Sequence, residues 1–113
     1  MDKKIIIVGA GPVGCYAAQL LKHHGLEPCI IEEHSQVGRP VHCTGLIGSQ
    51  LFNEQLVFPI PEGSVINSID GAMIHYNGES FLLERKSVAF VVDREKFDKN
   101  LSKGLDIKFE HKF

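Results

Sequence analysis

The sequence predicts an α/β fold, and three patterns near its start indicate it. A strand is predicted over residues 4–8, where Lys4 is followed by a β-branched run typical of a strand buried on both faces. Small and apolar residues then recur at helical spacing over residues 14–24, and Gly25 stands where a helix commonly ends. A second apolar run at 29–31 completes a strand–helix–strand unit. We therefore expect a parallel sheet with a helix packed on it.

The rest of the chain predicts short elements around a small antiparallel meander. Glycines and a proline indicate a loop over 34–48, and a short helix is expected at 49–57. Asn77-Gly78 is a strong signal for a type I′ hairpin turn. Strands are predicted at 65–69, 72–76, 81–84, 88–92 and 105–109, with a helix over 94–103.

Length and composition restrict the class of protein. The chain has 113 residues and a net charge of -2, so we expect one domain over 1–113 and no nucleic-acid partner. Its apolar runs are too short for a transmembrane segment, and no secretory signal is evident, which predicts a cytoplasmic protein. Three cysteines without CxxC spacing predict neither a disulfide framework nor a metal site.

The stretch GAGPVG at residues 9–14 fits the pattern G-x-G-x-x-G between a predicted strand and a predicted helix. The first glycine permits the tight turn, the second lets main chain approach a pyrophosphate, and the third lets the helix pack closely. The helix N-terminus presents free N–H groups and a positive dipole end to phosphates. The sequence thus predicts dinucleotide binding, with a plain packing turn as the alternative. The predicted binding residues are Gly9, Ala10, Gly11, Pro12, Val13 and Gly14.

An acidic pair ends the second predicted strand. Glu32 follows Gly9 at roughly the 20-residue spacing at which a carboxylate accepts from ribose hydroxyls. Its charge repels a 2′-phosphate, which favours FAD or NAD over NADP. The register favours Glu32, while the adjacent Glu33 could exchange roles with it.

Two further stretches are hard to explain as generic loops: VGRPVHCTGLIGSQL at 37–51 and VVDREKFDKNL at 91–101. Together with the glycine turn they resemble the geranylgeranyl reductase family, in particular the archaeal members that saturate isoprenoid chains of membrane lipids. These are flavoproteins with a Rossmann-like FAD-binding fold. The family motifs GxGPxG, the acid, GxPVxCxGL and RxxFDxxL occur here in order.

The resemblance implies a set of FAD contacts. FAD should lie across Val13 and the neighbouring turn, with Glu32 on the adenosine ribose. Arg94, at a helix start, should reach the pyrophosphate or the adenosine side. Main-chain groups of a loop should also lie near the cofactor, namely Cys43, Thr44 and Leu46.

Structural alternatives remain for three of these residues. Arg94 could simply pair with Asp98 at i+4. Cys43 could line the cofactor, remain an inert cysteine or act in redox chemistry, which requires a lowered pKa. Arg39 could contact a phosphate or be a solvated loop charge.

The chain also departs from the family. Members are several times longer, with a Gly-Asp segment near the flavin and a substrate domain that we do not find here. The last helix is shorter, which could shift the final strand. We therefore expect an incomplete FAD-binding portion without catalytic residues, inactive alone, within a reductase of isoprenoid double bonds. A second chain could supply the missing half, and a lipid substrate could bring peripheral membrane contact. The alternative is a non-catalytic dinucleotide-binding module acting through a partner chain.

Overall fold

The computed structural model describes residues 5–53 and 62–113, which form one parallel and one antiparallel sheet. This arrangement confirms the α/β class. A 3-10 turn at Glu62–Ser64 precedes the long strands. The elements are β1 (Ile5–Val8), α1 (Pro12–His23), β2 (Pro28–Ile31), β3 (Leu46–Gly48), α2 (Gln50–Asn53), β4 (Val65–Tyr76), β5 (Glu79–Val92), α3 (Arg94–Leu101) and β6 (Asp106–Lys108).

The parallel sheet has the order β1-β2-β6. Ile30 lies opposite Ile7 on one side and Ile107 on the other, so β2 is the central strand. This position explains why the short apolar run of β2 is buried, with Ile30 fully inaccessible. The predicted strand–helix–strand unit is therefore confirmed, and β6 adds a third parallel strand. The expectation that β1 is buried on both faces is wrong, because Ile6 and Val8 are exposed on the face that no helix covers.

Helix α1 begins and ends as the sequence predicts. Pro12 occupies the first turn, where a missing N–H costs no intrahelical bond, and Gly25 follows the C-cap with φ of +82°. Gln19 Nε2 donates to the carbonyl oxygen of Leu101 at 2.8 Å, which ties α1 to α3. Among the described residues, no helix is long and apolar enough to cross a membrane. The core between sheet and helices comprises Ala10, Cys15, Ala18, Ile30, Val37, Val92, Phe97 and Leu101.

The predicted short strands are wrong in number, because two long strands replace four. Residues 65–69 and 72–76 belong to β4, while 81–84 and 88–92 belong to β5. The polar interruptions are irregularities within one ladder, with a register shift between Ile69 and Gly71. The turn itself is confirmed as type I′, since Asn77 and Gly78 have φ of +51° and +78°.

The predicted loop 34–48 is wrong over its last residues, which form β3, while the predicted antiparallel sheet is confirmed. Leu46 and Gly48 of β3 pair with Val91 and Ala89, so β5 lies between β3 and β4. Helix α2 covers the start of the helix predicted at 49–57, whose residues 54–57 lie outside the described part. The helix predicted over 94–103 ends at Leu101, and the last strand is limited to β6.

The far half of the β4–β5 ribbon projects from the remaining structure. The radius of gyration is 17.4 Å and the principal extents are 63 × 29 × 24 Å, whereas a compact chain of this size has a radius of roughly 13 Å. We call residues 71–84 the hairpin. Its large apolar side chains are exposed on both faces: Met73, Ile74, Tyr76, Phe81, Leu82 and Leu83.

Candidate dinucleotide-binding site

The glycine turn at the carboxyl end of β1 has the geometry that its spacing predicts. Gly9 adopts φ of +101° and donates its N–H to the carbonyl oxygen of Ile31 at 2.8 Å. A Cβ on Gly14 would stand 2.1 Å from the Gly9 oxygen, so only glycine permits this helix–strand contact. A Cβ on Gly11 would meet nothing within 4 Å. The packing roles of Gly9 and Gly14 are thereby confirmed, and open space adjoins Gly11.

The N-terminus of α1 faces this open space. Gly11 is the N-cap and has no side chain to cap the helix, so the first-turn amides of Val13 and Gly14 lack an intrahelical partner. The first turn contains no acidic residue. Main-chain donors, a positive helix end and an uncovered glycine together fit a pyrophosphate group.

Glu32 joins the glycine turn to the end of β2. Its Oε2 accepts from Ala10 N–H at 2.8 Å, and its Oε1 lies 3.2 Å from His34 N and 2.9 Å from His34 Nδ1. Burial acts to raise the pKa of the Glu32 carboxyl, but the hydrogen bonds from Ala10 and His34 outweigh it and lower the pKa. The carboxylate is therefore ionised and fixed beside the turn.

Glu33 faces another direction and is half exposed. It lines a second cleft with Gly9 and His111, which Glu32 also borders, and its Oε1 lies 4.0 Å from His34 Nε2. The geometry thus distinguishes the two acids, because it is the Glu32 carboxylate that contacts the glycine turn.

A pocket of about 180 Å³ brings together four of the predicted residues: Ala10, Gly11, Glu32 and Arg39. The 36–40 loop closes one side of it, anchored by the buried Val37. A Cβ on Gly38 would lie 3.0 Å from the Glu95 Cα, which shows how closely this loop packs on α3. The pocket therefore lies between the glycine turn, the end of β2 and α3.

Arg39 lies at the α3 side of this pocket. Its Nε is 2.9 Å from Glu95 Oε1, which also accepts from Lys99 Nζ at 2.7 Å. Hydrogen bonds from Arg39 and Lys99 lower the pKa of Glu95 to about 2. The guanidinium is exposed, so it pairs with α3 while remaining accessible at the pocket rim.

Arg94 makes the intrahelical pair with Asp98 that the sequence allowed as an alternative. Its Nε donates to Oδ1 at 2.9 Å and its second terminal nitrogen to Oδ2 at 3.2 Å. The same guanidinium faces Cys43 in an adjacent pocket, also about 180 Å³. A hydrogen bond from Gly45 N–H and the charge of Arg94 lower the pKa of the exposed Cys43 thiol. Arg94 is thus a cation fixed by Asp98 in the pocket that Cys43 lines.

The remaining predicted residues are not gathered in these pockets. Pro12 and Val13 line an apolar groove of about 360 Å³ beside Tyr16 and Phe97, and Val13 is 85% exposed. Thr44 is exposed in the loop that follows Cys43. Leu46 is exposed on β3.

Sequence reasoning missed His34 and Asp98 as pocket residues. His34 contacts Glu32 directly, and Asp98 is 7% exposed and lines both pockets. The i+4 spacing to Arg94 was the signal available for Asp98. For His34 no comparable signal existed, because its contact depends on the turn after β2. No three potential metal-ligating side chains cluster within the described ranges.

Comparison with known proteins finds relatives of this chain in sequence. Residues 7–51 match the NAD(P)-binding Rossmann-like domain family. The chain is 34% identical over 101 residues to the digeranylgeranylglycerophospholipid reductase of Methanoculleus marisnigri, and 32% identical over 104 residues to that of Thermoplasma volcanium. These alignments cover 86% and 87% of this chain but only 25% and 26% of the relatives.

A solved structure gives the same relationship in three dimensions. The geranylgeranyl bacteriochlorophyll reductase-like protein of Thermoplasma acidophilum superposes with a TM-score of 0.82 at 27% identity, covering 95% of this chain and 30% of that one. The Rossmann-like fold and the family resemblance predicted from the motifs are thus confirmed. The chain is similar to digeranylgeranylglycerophospholipid reductases over most of its own length, and it spans about a quarter of the length of the curated relatives it matches.

Proposed function

We propose that the chain binds the ADP part of FAD, as one portion of a geranylgeranyl-reductase-like flavoprotein. The observation that carries this proposal is the 2.8 Å hydrogen bond between Ala10 N–H and Glu32 Oε2. It holds a ribose acceptor directly beside the open main chain at Gly11. Ribose and pyrophosphate are adjacent groups in ADP, and the two protein features are adjacent in the same pocket.

Each chemical part of the ligand has a matching group. The first-turn amides of α1 suit the pyrophosphate, and Glu32 suits the adenosine ribose. Arg39 and Arg94 are permanent cations near the phosphates, and Glu33 adds negative charge against a 2′-phosphate. Main-chain groups of Cys43, Thr44 and Leu46 would lie farther along the cofactor. Homology to reductases supports FAD over NAD as the resident dinucleotide.

A bound flavin would supply the hydride chemistry, and the residues of this chain would hold its ADP part in position. The names of the relatives support a reaction that reduces isoprenoid double bonds in lipids. We propose that its electrons come from a nicotinamide cofactor or ferredoxin. The proposal assigns this chain a binding role and no catalytic residue. We therefore expect the 113-residue chain to bind nucleotide and to reduce no substrate by itself.

Calorimetric titration with FAD, ADP and NAD tests the proposal. We expect ADP and FAD to bind, with roughly tenfold or greater loss in Glu32→Ala and a smaller loss in Arg94→Ala. Glu27→Ala and Arg85→Ala are matched controls, since both side chains are exposed and away from the pockets. Wild-type affinity in the Glu32 variant, or no binding by any of the three ligands, would reject the assignment.

The exposed hairpin is compatible with two candidates: a reductase completed by another polypeptide, and a non-catalytic module that acts through a partner. Its apolar side chains point to both faces while its tip, Asn77-Gly78-Glu79, is polar. A ribbon that inserts into lipid needs an apolar tip, whereas a ribbon inside a protein sheet needs two apolar faces. We propose that a polypeptide carrying the rest of the reductase fold covers the hairpin.

Co-purification with the remaining three quarters of a homologous reductase tests the partner. We expect a one-to-one complex that retains FAD, and we expect Phe81→Asp to abolish the complex without changing ADP affinity. A stable homodimer of this chain alone, seen by analytical ultracentrifugation and disrupted by the same variant, would favour the stand-alone module instead.

A further inference from the structure

The Glu32 carboxylate is held from two sides, and His34 supplies one of them. His34 provides two of the three nitrogen contacts to this carboxylate, its main-chain N–H and its ring Nδ1, both at Oε1. The third, from Ala10 N–H, is at Oε2. The orientation of the Glu32 carboxylate therefore depends on His34, a residue outside the glycine turn and outside the dinucleotide fingerprint.

The chemistry of the contact fixes the imidazole tautomer. An ionised carboxylate only accepts hydrogen bonds, so His34 Nδ1 must carry the proton that lies between them. The other ring nitrogen, Nε2, then faces Glu33 Oε1 at 4.0 Å, a separation too long for a hydrogen bond. The productive contact is thus Nδ1–H to Oε1.

The same contacts limit where a ribose hydroxyl can bind. A carboxylate offers about four acceptor positions, and three are used by Ala10 and His34. Because Oε1 receives two donors and Oε2 only one, the free acceptor position is on Oε2, the oxygen that also accepts from Ala10 N–H in the glycine turn. The proposed pyrophosphate would lie at this turn.

We propose that His34 is a positioning residue for adenosine recognition: its Nδ1–H locks Oε1 of Glu32 so that Oε2 accepts the ribose 2′-hydroxyl. The inference rests on the proposed ADP site and identifies a residue that determines its selectivity for a ribose over a deoxyribose. His34 acts only through Glu32. Its imidazole is 44% exposed, so replacing it removes little packing.

The test compares ADP with 2′-deoxy-ADP in the 113-residue chain and its variants. We expect wild type to prefer ADP by about tenfold, the effect of one charge-assisted hydrogen bond. His34→Ala should lose most of this preference. His34→Asn should keep it, because the Asn amide places an N–H near the position of Nδ1. His34→Gln, whose amide reaches the position of Nε2 instead, should behave like the Ala variant.

A double-mutant cycle with Glu32→Ala separates positioning from a general structural effect. In the Glu32→Ala background, His34→Ala should change neither the affinity nor the ribose preference. If His34→Ala retains the wild-type preference, or reduces ADP affinity equally in both backgrounds, the positioning role is overturned while the ADP site stands. If wild type binds neither nucleotide, the proposed function fails and this inference fails with it.

Discussion

Similar apolar residues are buried in the parallel sheet with its helices but exposed in the projecting hairpin. In the body, formed by β1, α1, β2, α3 and β6, Ile30 is fully buried because helices cover its strand. In the hairpin, Phe81 is 53% exposed, although its strand is longer. The comparison shows that strand pairing alone buries little apolar surface. A sheet needs a second layer, which the body has and the hairpin lacks.

This difference assigns folding stability to the body and recognition of a partner to the hairpin. Burial of apolar surface is the main stabilising contribution, so we expect the stability of the chain to reside in the body. The hairpin contributes cross-strand contacts and leaves its apolar faces available to a partner.

The largest expected effect comes from truncating the centre of the body. Ile30→Ala should lower the free energy of unfolding by about 2–5 kcal/mol, since it opens a cavity in a fully buried position. Phe81→Ala, the matched truncation in the hairpin, should cost only about 0.5–1 kcal/mol. Urea denaturation measures both, and equal losses would contradict the division between body and hairpin.

The next largest effect is a difference in stability between alanine substitutions at two glycines of the same turn. Gly14→Ala should destabilise the fold by roughly 1–3 kcal/mol, because its Cβ would meet the Gly9 oxygen at 2.1 Å. Gly11→Ala has free space and should leave the melting temperature nearly unchanged while weakening ADP binding. Thermal melts and titrations on both variants check this. A Gly11 variant that binds ADP like wild type would indicate that the ligand approaches elsewhere.

We expect Glu32 to make the folding stability of the body sensitive to acid. Its folded-state pKa is below the ordinary value of 4.5, so its ionised form stabilises the fold above that pH. This contribution is lost as the pH falls from about 4.5 through the lowered pKa. Glu32→Gln should flatten that part of the stability profile measured by urea denaturation, leaving a residual slope from Glu95. The control Glu27→Gln should keep the wild-type profile.

The smallest effect concerns the three thiols and leaves stability untouched. Cys15 and Cys29 are buried in the body, and burial raises the pKa of Cys15 to about 11. Cys43 is exposed with a lowered pKa. We expect an aromatic disulfide reagent to modify one thiol rapidly, more slowly in Arg94→Ala, and none rapidly in Cys43→Ser. Rapid modification of a second cysteine would show that the body opens.

The sequence predicted those features that are encoded by neighbouring residues. The glycine turn, the acid after β2 and the Asn77-Gly78 turn each depend on a few adjacent positions, and their spacing revealed them. It failed where distant residues decide the outcome. Ser87 N–H donates to Asp70 Oδ1 at 2.9 Å, and this hydrogen bond joins β4 and β5 where polar residues interrupt their apolar pattern. Strand β3 forms only because it can pair with the edge of β5.

In the candidate site, too, the sequence predicted local features and missed contacts between distant residues. Ala10, Gly11 and Glu32 could be selected from the fingerprint because its spacing reflects one strand–helix–strand unit. The contact of His34 with Glu32 depends on how the chain turns after β2, and the position of Arg94 beside Cys43 depends on α3 packing against the 36–45 loop. The periodicity of apolar residues in the sequence does not predict such contacts.

The sequence by itself thus determined the α/β class, the dinucleotide fingerprint and the resemblance to geranylgeranyl reductases, because these follow from local periodicity and short motifs. Only the tertiary structure decided the order of the strands, the bridge from Ala10 to Glu32 and His34, and the exposure of the hairpin. These depend on which surfaces meet in space, and burial is a property of the whole fold that no single segment determines.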